Sequence, residues 1–344
     1  MKIYATGRAF IDYFTPLQME ACGKNGSPHI SANHFDFLLQ QIKKNSSENL
    51  LQETGGSVCN TAKTMAYLGH NVTFVGTIGI EDMENSNHTI EKVVDEEGNF
   101  FLATIKKYGV TPHLSFCSGK TGRCLVAKTF RGYEVVAACP GVAPEIKVSQ
   151  LDLELIQQSD WIIVEGMDLD KPEFSSIIAE QYFKRNSAMA LCCGTSFGAR
   201  STANFILNNA KQHIHKSNIP PVIIFANDAE AQIMESTGVD IAALSKDDGR
   251  IFVVTHGCGG SSAYINGKRL FQESSENMNP QKEPTGAGDV FAAFFLHSIG
   301  NIKSESLLTT ETISQALKQA SKGASLIVNV PLCNIQSAIC NPFN

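Results

Sequence analysis

Apolar, strand-like runs alternate with helical patterns through the second half of this chain, and that alternation constrains the fold more than any other feature. The apolar runs lie at 161–164, 188–192, 222–226 and 251–255, and helical patterns lie at 172–184, 201–214 and 228–236. This rhythm is typical of a parallel sheet with right-handed helical crossovers. In such sheets ligands bind at the carboxyl ends of the strands. The sequence therefore predicts an α/β fold with one binding edge.

The first third of the chain has a different pattern. Residues 125–129 and 133–138 flank Arg131-Gly132, and this arrangement predicts a β-hairpin rather than a crossover unit. We expect one domain over 1–344, with a small β lid formed by roughly 9–33 and 112–140. The acidic segment 81–98 predicts a solvated surface segment around a short helix.

Composition excludes several classes of protein. The net charge of −6 comes without a basic stripe, so we expect no nucleic-acid partner. No apolar run approaches the roughly 20 residues that cross a bilayer, and the N-terminus lacks the apolar core of a signal peptide. We therefore expect a cytoplasmic protein without a membrane partner. The ten cysteines include no Cys-x-x-Cys pair, which favours buried free thiols over a metal site.

A glycine-rich segment, Pro284-Thr285-Gly286-Ala287-Gly288-Asp289, leads into an apolar stretch at 290–296. Glycines allow a tight turn at a helix start, where free N–H groups and the helix dipole favour phosphate oxygens. A carboxylate in the first turn stays ionised, yet it repels phosphate, so its presence there needs a reason. Accepting a proton from an attacking hydroxyl is such a reason. By itself the pattern also suits dinucleotide binding or simple helix packing.

A second glycine motif, Gly55-Gly56-Ser57-Val58-Cys59-Asn60-Thr61-Ala62, opens another predicted helix. Val58, Ala62, Met65 and Ala66 recur at helical spacing and face a core. Gly69 ends the helix, and residues 71–76 follow as a short strand. The helix therefore packs along its length, and its entrance is left free for binding.

The two motifs, in this order and far apart, resemble the two signatures of the ribokinase-like (PfkB) carbohydrate kinase family, and the resemblance covers nearly the whole chain. Thr121-Gly122-Arg123-Cys124 and Glu165-Gly166-Met167 resemble its adenosine-kinase-like branch, which includes nucleoside and sugar kinases. The resemblance implies a three-layer α/β/α core with a mostly parallel sheet and a small β lid.

The resemblance also implies catalytic roles. Asp289 corresponds to the base that takes the proton of the substrate hydroxyl, and the N–H groups of Gly286, Ala287 and Gly288 correspond to the anion hole. Fixed N–H donors stabilise the transferring phosphoryl group without reorganisation. The structural alternative is that Asp289 only caps its helix.

The family places an acidic residue after the first strand to grip substrate hydroxyls, and Asp12 matches it. Gly55, Gly56 and Asn60 match the residues that close the other side of the acceptor site. A carboxylate accepts two hydrogen bonds from vicinal hydroxyls, which suits this task. Alternatively, Asp12 is a surface turn residue.

Asn227 and Glu230 match the family's Asn-x-x-Glu element, which organises magnesium, largely through water, and the nucleotide phosphates. The same two residues suit an N-terminal helix cap, and capping is compatible with binding. Thr255, Gly257 and Gly260 resemble the nucleotide-binding strand end, where missing side chains let a ribose or base approach. Ser321 stands where related kinases often carry an asparagine near adenine.

The chain departs from the family pattern ahead of its catalytic loop. Glu283-Pro284-Thr285 replaces the usual Asp-Thr-Thr, which argues against a bound monovalent cation. We expect an ATP- and Mg²⁺-dependent kinase that phosphorylates a sugar hydroxyl, as a monomer or homodimer. A nucleoside kinase of the same fold and a non-catalytic binding protein are the alternatives. A nicotinamide-dependent reductase would need an early Gly-x-Gly-x-x-Gly, which the chain lacks.

Overall fold

The structure is a computed structural model. It describes residues 1–23, 28–45, 50–84, 90–129, 132–184, 187–214, 221–247, 250–273, 285–300 and 308–328. Pro284 and the departure at 283–284 lie outside the described residues. Within the described residues, no helix combines the length and hydropathy that crossing a membrane requires.

A large, mostly parallel sheet forms the centre of the protein, which confirms the predicted α/β fold. Its strands are β1 (Lys2–Thr6), β4 (Asn71–Glu84), β5 (Ile90–Val94), β6 (Thr111–Ser118), β9 (Trp161–Glu165), β10 (Ala188–Cys192), β11 (Val222–Asn227), β12 (Ile251–Thr255), β13 (Ser261–Ile265) and β14 (Lys268–Gln272). The strand order is β14-β13-β12-β11-β10-β9-β1-β4-β5, and β6 pairs with β4. The pairings from β12 to β4 are parallel, and the hairpins that add β13, β14 and β5 are antiparallel.

The helices cover both faces of this sheet. They are α1 (Ala32–Asn45), α2 (Ser57–Tyr67), α3 (Glu96–Lys107), α4 (Leu153–Gln158), α5 (Pro172–Lys184), α6 (Ser196–Ile214), α7 (Asp228–Ser236), α8 (Ile241–Asp247), α9 (Ala287–Ile299) and α10 (Thr310–Val328). Alternate strand residues enter two separate cores, because successive side chains point to opposite faces. Ile163 joins the core with α2, α9 and α10, whereas Ile162 and Val164 join the core with α5 and α6.

A second, four-stranded sheet packs beside α9. It contains β2 (Phe10–Gln18), β3 (Leu51–Gly55), β7 (Gly122–Thr129) and β8 (Gly132–Cys139), in the order β3-β2-β7-β8. The predicted hairpin is its β7–β8 pair. Phe14 and Val126 of this small sheet form a cluster with Val290 of α9. The small sheet is thereby held next to the start of α9.

The observed small sheet differs from the expected lid ranges 9–33 and 112–140. Residues 111–118 form β6, which pairs in parallel with β4 of the large sheet, and β3 joins the small sheet instead. The segment 81–98 was expected to surround a short helix, but β4 continues to Glu84 and pairs with β5. Beyond Ile80, β4 pairs only with the edge strand β5, and strands at the edge of a sheet expose polar side chains, so these acidic residues resemble a loop in sequence.

Candidate active site

The glycine turn before α9 has the geometry of an anion-binding helix start. Gly286 adopts a left-handed conformation with φ of 86°, and its carbonyl accepts hydrogen bonds from the N–H groups of Asp289 and Val290. The first N–H groups of an α-helix have no acceptor within the helix, so those of Gly286, Ala287 and Gly288 are available to an anion.

Asp289 is held by side chains from the start of α2. Ser57 Oγ donates to Asp289 Oδ1 at 2.6 Å, and Asn60 Nδ2 donates to Asp289 Oδ2 at 2.9 Å. Thr61 Oγ1 donates to the Asp289 carbonyl at 3.2 Å. Gly56 enables this arrangement because it precedes α2 with φ of 100°, and an added Cβ would overlap the Arg8 carbonyl. The two glycine motifs therefore place two helix N-termini against one carboxylate.

The ionisation of Asp289 reflects two opposing effects. Burial raises its pKa to about 6, while the hydrogen bonds from Ser57 and Asn60, and the positive charge of Lys63, act to lower it. Asp289 is consequently ionised for the most part at neutral pH, and it is a stronger base than an exposed aspartate. A general base needs a pKa close to the operating pH, and Asp289 meets that requirement.

Asp12 lies in β2 of the small sheet, beside the second glycine motif. It is 6% exposed, so the alternative of a surface turn residue is wrong. A Cβ added to Gly55 would overlap the Asp12 carboxyl group, so only glycine leaves room for that carboxylate. Burial raises the pKa of Asp12 to about 7, Lys63 lowers it, and Asp289 and Glu53 raise it. The charge of Asp289 thus acts on the titration of Asp12.

A cavity of about 130 Å³ opens over Asp289 at the carboxyl ends of the parallel strands. Asn227, Glu230 and Thr255 line it on the far side, and Cys192 and Gly194 line it from the end of β10. The cavity therefore joins the proposed catalytic carboxylate to three of the residues that sequence assigned to the nucleotide and metal.

Asn227 and Glu230 form a capping box at the start of α7. The Asn227 side chain accepts from the Glu230 N–H at 2.9 Å, and Glu230 Oε2 accepts from the Asn227 N–H at 2.9 Å. The expected helix cap is therefore present. Burial raises the pKa of Glu230, and the negative charge of Asp289 raises it further. The hydrogen bond from the Asn227 N–H acts in the opposite direction.

The donor set fits magnesium only through water. Within the described residues, no group of three or more His, Cys, Asp or Glu side chains could hold a metal ion directly. Glu230 faces the cavity with one carboxylate oxygen committed to the cap. Because Mg²⁺ keeps several of its waters, one nearby carboxylate suffices to position it.

The remaining residues assigned to the nucleotide lie after β12 and on α10. Gly257 and Gly260 follow β12 with φ of 57° and 97°, conformations that favour glycine. Ser321 lies on α10 and is 9% exposed. Among the described residues that line the cavity, Thr255 is included and these three residues are not.

Several site residues were not predicted from the sequence. Ser57 and Thr61 lie inside the second motif, but no local pattern shows that they bond to a residue more than 220 positions away. Glu165 ends β9, is 1% exposed, and accepts from the Arg8 N–H at 2.7 Å. Burial and the neighbouring Asp168 raise the pKa of Glu165. The available signals were its position at a strand end and its place in the Glu165-Gly166-Met167 element, to which the sequence assigned no site role.

Comparisons with known proteins identify the family and the fold of the chain. The sequence model described as "pfkB family carbohydrate kinase" matches residues 34–339. No curated protein matches the chain in sequence. A probable sugar kinase from Rhizobium etli CFN 42 has a TM-score of 0.73 and 19% identity, over 96% of this chain and 93% of its own.

Two adenosine kinases share the fold as well. The enzyme from Sinorhizobium meliloti has a TM-score of 0.74 and 20% identity over 98% of each chain. The enzyme from Anopheles gambiae, in complex with P1,P4-di(adenosine-5) tetraphosphate, has a TM-score of 0.72 and 16% identity over 98% of this chain and 97% of its own. At these identities the likeness establishes the fold alone.

The family match, together with the shared fold, defines the class of this protein as a carbohydrate kinase of the pfkB type. Because the family match spans most of the sequence, the chain belongs to the pfkB family of carbohydrate kinases.

Proposed function

We propose that this protein transfers the γ-phosphoryl group of ATP to a hydroxyl of a sugar, with Asp289 as the general base. The observation that carries the proposal is the placement of Asp289. Its carboxylate lies under a cavity, is oriented by donors from Ser57 and Asn60, and sits in the first turn of a glycine-led helix.

The proton and phosphoryl movements follow from this placement. Each Asp289 oxygen accepts one hydrogen bond from α2 and retains a further lone pair for the substrate hydroxyl. As that hydroxyl oxygen attacks the γ-phosphorus, its proton passes to Asp289 and the bond to the leaving ADP oxygen breaks. The N–H groups of Gly286, Ala287 and Gly288 would stabilise the charge on the equatorial oxygens.

The flanking residues supply binding and alignment. Asp12 would accept hydrogen bonds from neighbouring hydroxyls of the sugar, next to Gly55, Gly56 and Asn60. Asn227, Thr255, Gly257, Gly260 and Ser321 would bind the nucleotide. When bound, magnesium neutralises phosphate charge, and Glu230 would hold it through water.

A nucleoside acceptor is the alternative within the same chemistry. Its ribose offers the same vicinal hydroxyls to Asp12, so the carboxylate does not separate the two classes. We favour a sugar because the sequence shows no distinctive aromatic clamp for a purine. The choice of acceptor therefore requires a measurement of turnover.

The test is ADP release with Mg²⁺ and ATP across a panel of sugars and nucleosides. Thermal unfolding in the presence of each compound and an inert ATP analogue identifies ligands, because binding to the native state raises apparent stability. With the acceptor identified, Asp289→Asn is expected to lower kcat by about 10²- to 10⁴-fold.

Two results would contradict the proposal. An Asp289→Asn variant that kept most of its activity would remove the general base from the mechanism. Ligand-induced stabilisation of the wild type without ADP release across the whole panel would instead favour the non-catalytic binding protein.

A further inference from the structure

Lys63 is a buried cation that the proposed mechanism does not use. It lies on α2, three residues beyond Asn60, and is 1% exposed. Burying an ammonium group is costly unless each of its donors has a partner. Lys63 meets that condition, because its Nζ contacts the Thr54 carbonyl at 2.6 Å, Thr54 Oγ1 at 3.0 Å and Glu53 Oε1 at 3.4 Å.

The partners of Lys63 are themselves tightly arranged. Glu53 Oε1 accepts from the Thr54 N–H at 2.9 Å, and Glu53 Oε2 accepts from the Tyr108 hydroxyl at 3.0 Å. The Lys63 ammonium also lies 5.1 Å from the centre of the Tyr108 ring, within the range of a cation–π contact. The cluster therefore fixes the end of β3, where Thr54 directly precedes the Gly55-Gly56 turn.

This fixed strand end bears on both functional carboxylates. The Asp12 carboxyl packs against Gly55, and Glu53 is its cross-strand neighbour in the β2–β3 pair. The positive charge of Lys63 lowers the pKa of Asp12 and of Asp289, while Glu53 raises the pKa of Asp12.

The positive charge of Arg8 nearby acts on Glu165 and pairs with Asp168, and it is not among the charges that act on Asp12 or Asp289. Glu165 on β9 and Glu230 on α7 have pKa values raised by burial and, further, by Asp289. The thiols nearby are Cys59, Cys124 and Cys192, and burial raises the pKa of each. Lys63 is the cation, among the described residues, that acts on both Asp12 and Asp289.

We propose that Lys63 is a positioning residue for the transfer reaction: its buried ammonium fixes the strand end beside Gly55 and presents a positive charge to Asp12 and Asp289. It does not contact the substrate. This inference rests on the proposed function, since it assigns Lys63 to the ionisation and placement of the two carboxylates of that mechanism.

The first experiment compares Lys63→Met with Lys63→Arg. Both acids must be ionised for activity, so kcat/KM of the wild type is expected to fall as the pH drops through the pKa values of the pair. Lys63→Met removes the charge, and the acid limb of the profile is expected to move up by about one pH unit or more. Lys63→Arg keeps the charge and is expected to leave the limb at the wild-type position.

The second experiment changes the opposite charge. Glu53→Gln removes the carboxylate that raises the pKa of Asp12, so the acid limb is expected to move to lower pH. Tyr108→Phe is the matched control, because it removes the hydrogen bond to Glu53 Oε2 and leaves every charge in place. Its acid limb is expected to stay where it is in the wild type.

A purely structural role predicts a different result. If Lys63→Met lowered kcat/KM by the same factor at every pH and left the acid limb unmoved, the proposal would be overturned. Should Lys63→Met fail to fold, the double variant with Glu53→Gln removes both buried charges together. Glu53→Gln alone still tests the direction in which the acid limb moves. A limb that moved up, or not at all, in Glu53→Gln would also overturn it.

A titration without turnover separates this inference from the proposed function. Carboxyl-carbon NMR of Asp289 in the wild type and in Lys63→Met reports its pKa directly. If the wild type transferred no phosphoryl group, the proposed function would fail, yet a higher pKa of Asp289 in the variant would uphold the charge role of Lys63. An unchanged pKa would remove that role whether or not the enzyme is active.

Discussion

The two sides of the cavity are built in different ways. On one side, Asp289 is oriented by Ser57 and Asn60, which lie 232 and 229 residues away in the sequence. On the other side, Asn227 and Glu230 bond to each other three residues apart at the start of α7. The first arrangement exists only when two distant helices pack together, whereas the second is complete within one helical turn.

This difference determines which contacts are evidence for a function. A capping box stabilises a helix start by itself, so helix formation fully explains Asn227 and Glu230. Helix formation does not explain why three side chains of α2 bond to one residue of α9. The long-range contacts of Asp289 are therefore the evidence for a function. The contacts between Asn227 and Glu230 are explained by helix capping alone.

The largest loss of activity is expected when a second negative charge is placed beside Asp289. Asn60→Asp would place a second carboxylate against Asp289 Oδ2, in place of a donor at 2.9 Å. Two carboxylates sharing one site cannot both ionise near neutral pH, so the pair retains a proton. We expect kcat/KM at neutral pH to fall by about 10²-fold or more, because the base is lost.

Asn60→Ala is the matched control for that charge. It removes the same hydrogen bond without adding a carboxylate, which costs about 1 kcal/mol of stability and a smaller part of kcat/KM. Equal losses in the two variants, measured in the same assay, would show that the hydrogen bond matters and the charge does not.

A smaller effect on activity is expected when a side chain is added next to Asp12, the residue assigned to the acceptor. Gly55→Ala adds a Cβ that overlaps the Asp12 carboxyl, so that side chain must move. We expect KM for the acceptor to rise by about tenfold, together with a loss of about 1–3 kcal/mol in the free energy of unfolding. In the double variant with Asp12→Ala, the overlap is gone, and stability should recover while KM stays high. If stability did not recover in the double variant, the added Cβ would overlap with a group other than Asp12.

The buried acid Asp12 should also limit stability. Its folded pKa of about 7 lies above the 3.8 of an exposed aspartate, so the unfolded chain ionises first and stability falls as the pH rises between these values. Asp12→Asn removes this cost and is expected to raise Tm at pH 8 by about 2–5 °C. The difference should vanish toward about pH 4. A lower Tm at pH 8 would contradict the raised pKa.

The smallest effect is expected on the local side. Glu230→Gln retains the capping box, because glutamine also accepts from the Asn227 N–H, but it removes the negative charge. We expect an unchanged Tm and a rise of about three- to tenfold in the Mg²⁺ concentration needed for half-maximal activity. An unaltered magnesium requirement would show that Glu230 only caps α7. The proposed function would then depend on the Asp289 side of the cavity alone.

The large sheet was predictable because its signals are local. Predicted strands at 188–192 and 251–255 match β10 and β12, and predicted helices at 172–184 and 228–236 match α5 and α7. Strands buried on both faces are continuous apolar runs, which the sequence displays directly.

The small sheet was harder to predict because its pairing is not local. β3 is short, ends in glycine, and pairs with β2 about 40 residues earlier, so its strand character depends on that partner. β6 was assigned to the wrong sheet because its residues do not reveal whether β4 or β7 lies beside them.

The site divides in the same way. Asp289 and Gly286 could be proposed from the sequence because glycines at helix starts leave a local pattern, and Asn60 could be proposed from the resemblance to the family. The hydroxyls of Ser57 and Thr61, the buried pair of Lys63 and Glu53, and the cavity wall at Cys192 depend on packing between distant elements. Serine, threonine and lysine on a helix are ordinary in sequence, and only the packed structure shows which of them are buried.

The 232-residue separation between Ser57 and Asp289 also has a consequence for synthesis. Translation proceeds from the N-terminus, so α2 and the small sheet leave the ribosome long before α9 exists. In the proposed mechanism, a stalled nascent chain that ends before Asp289 carries the residues assigned to the acceptor but lacks the general base. Such a chain is expected to be inert toward ATP until α9 has been synthesised and has packed against α2.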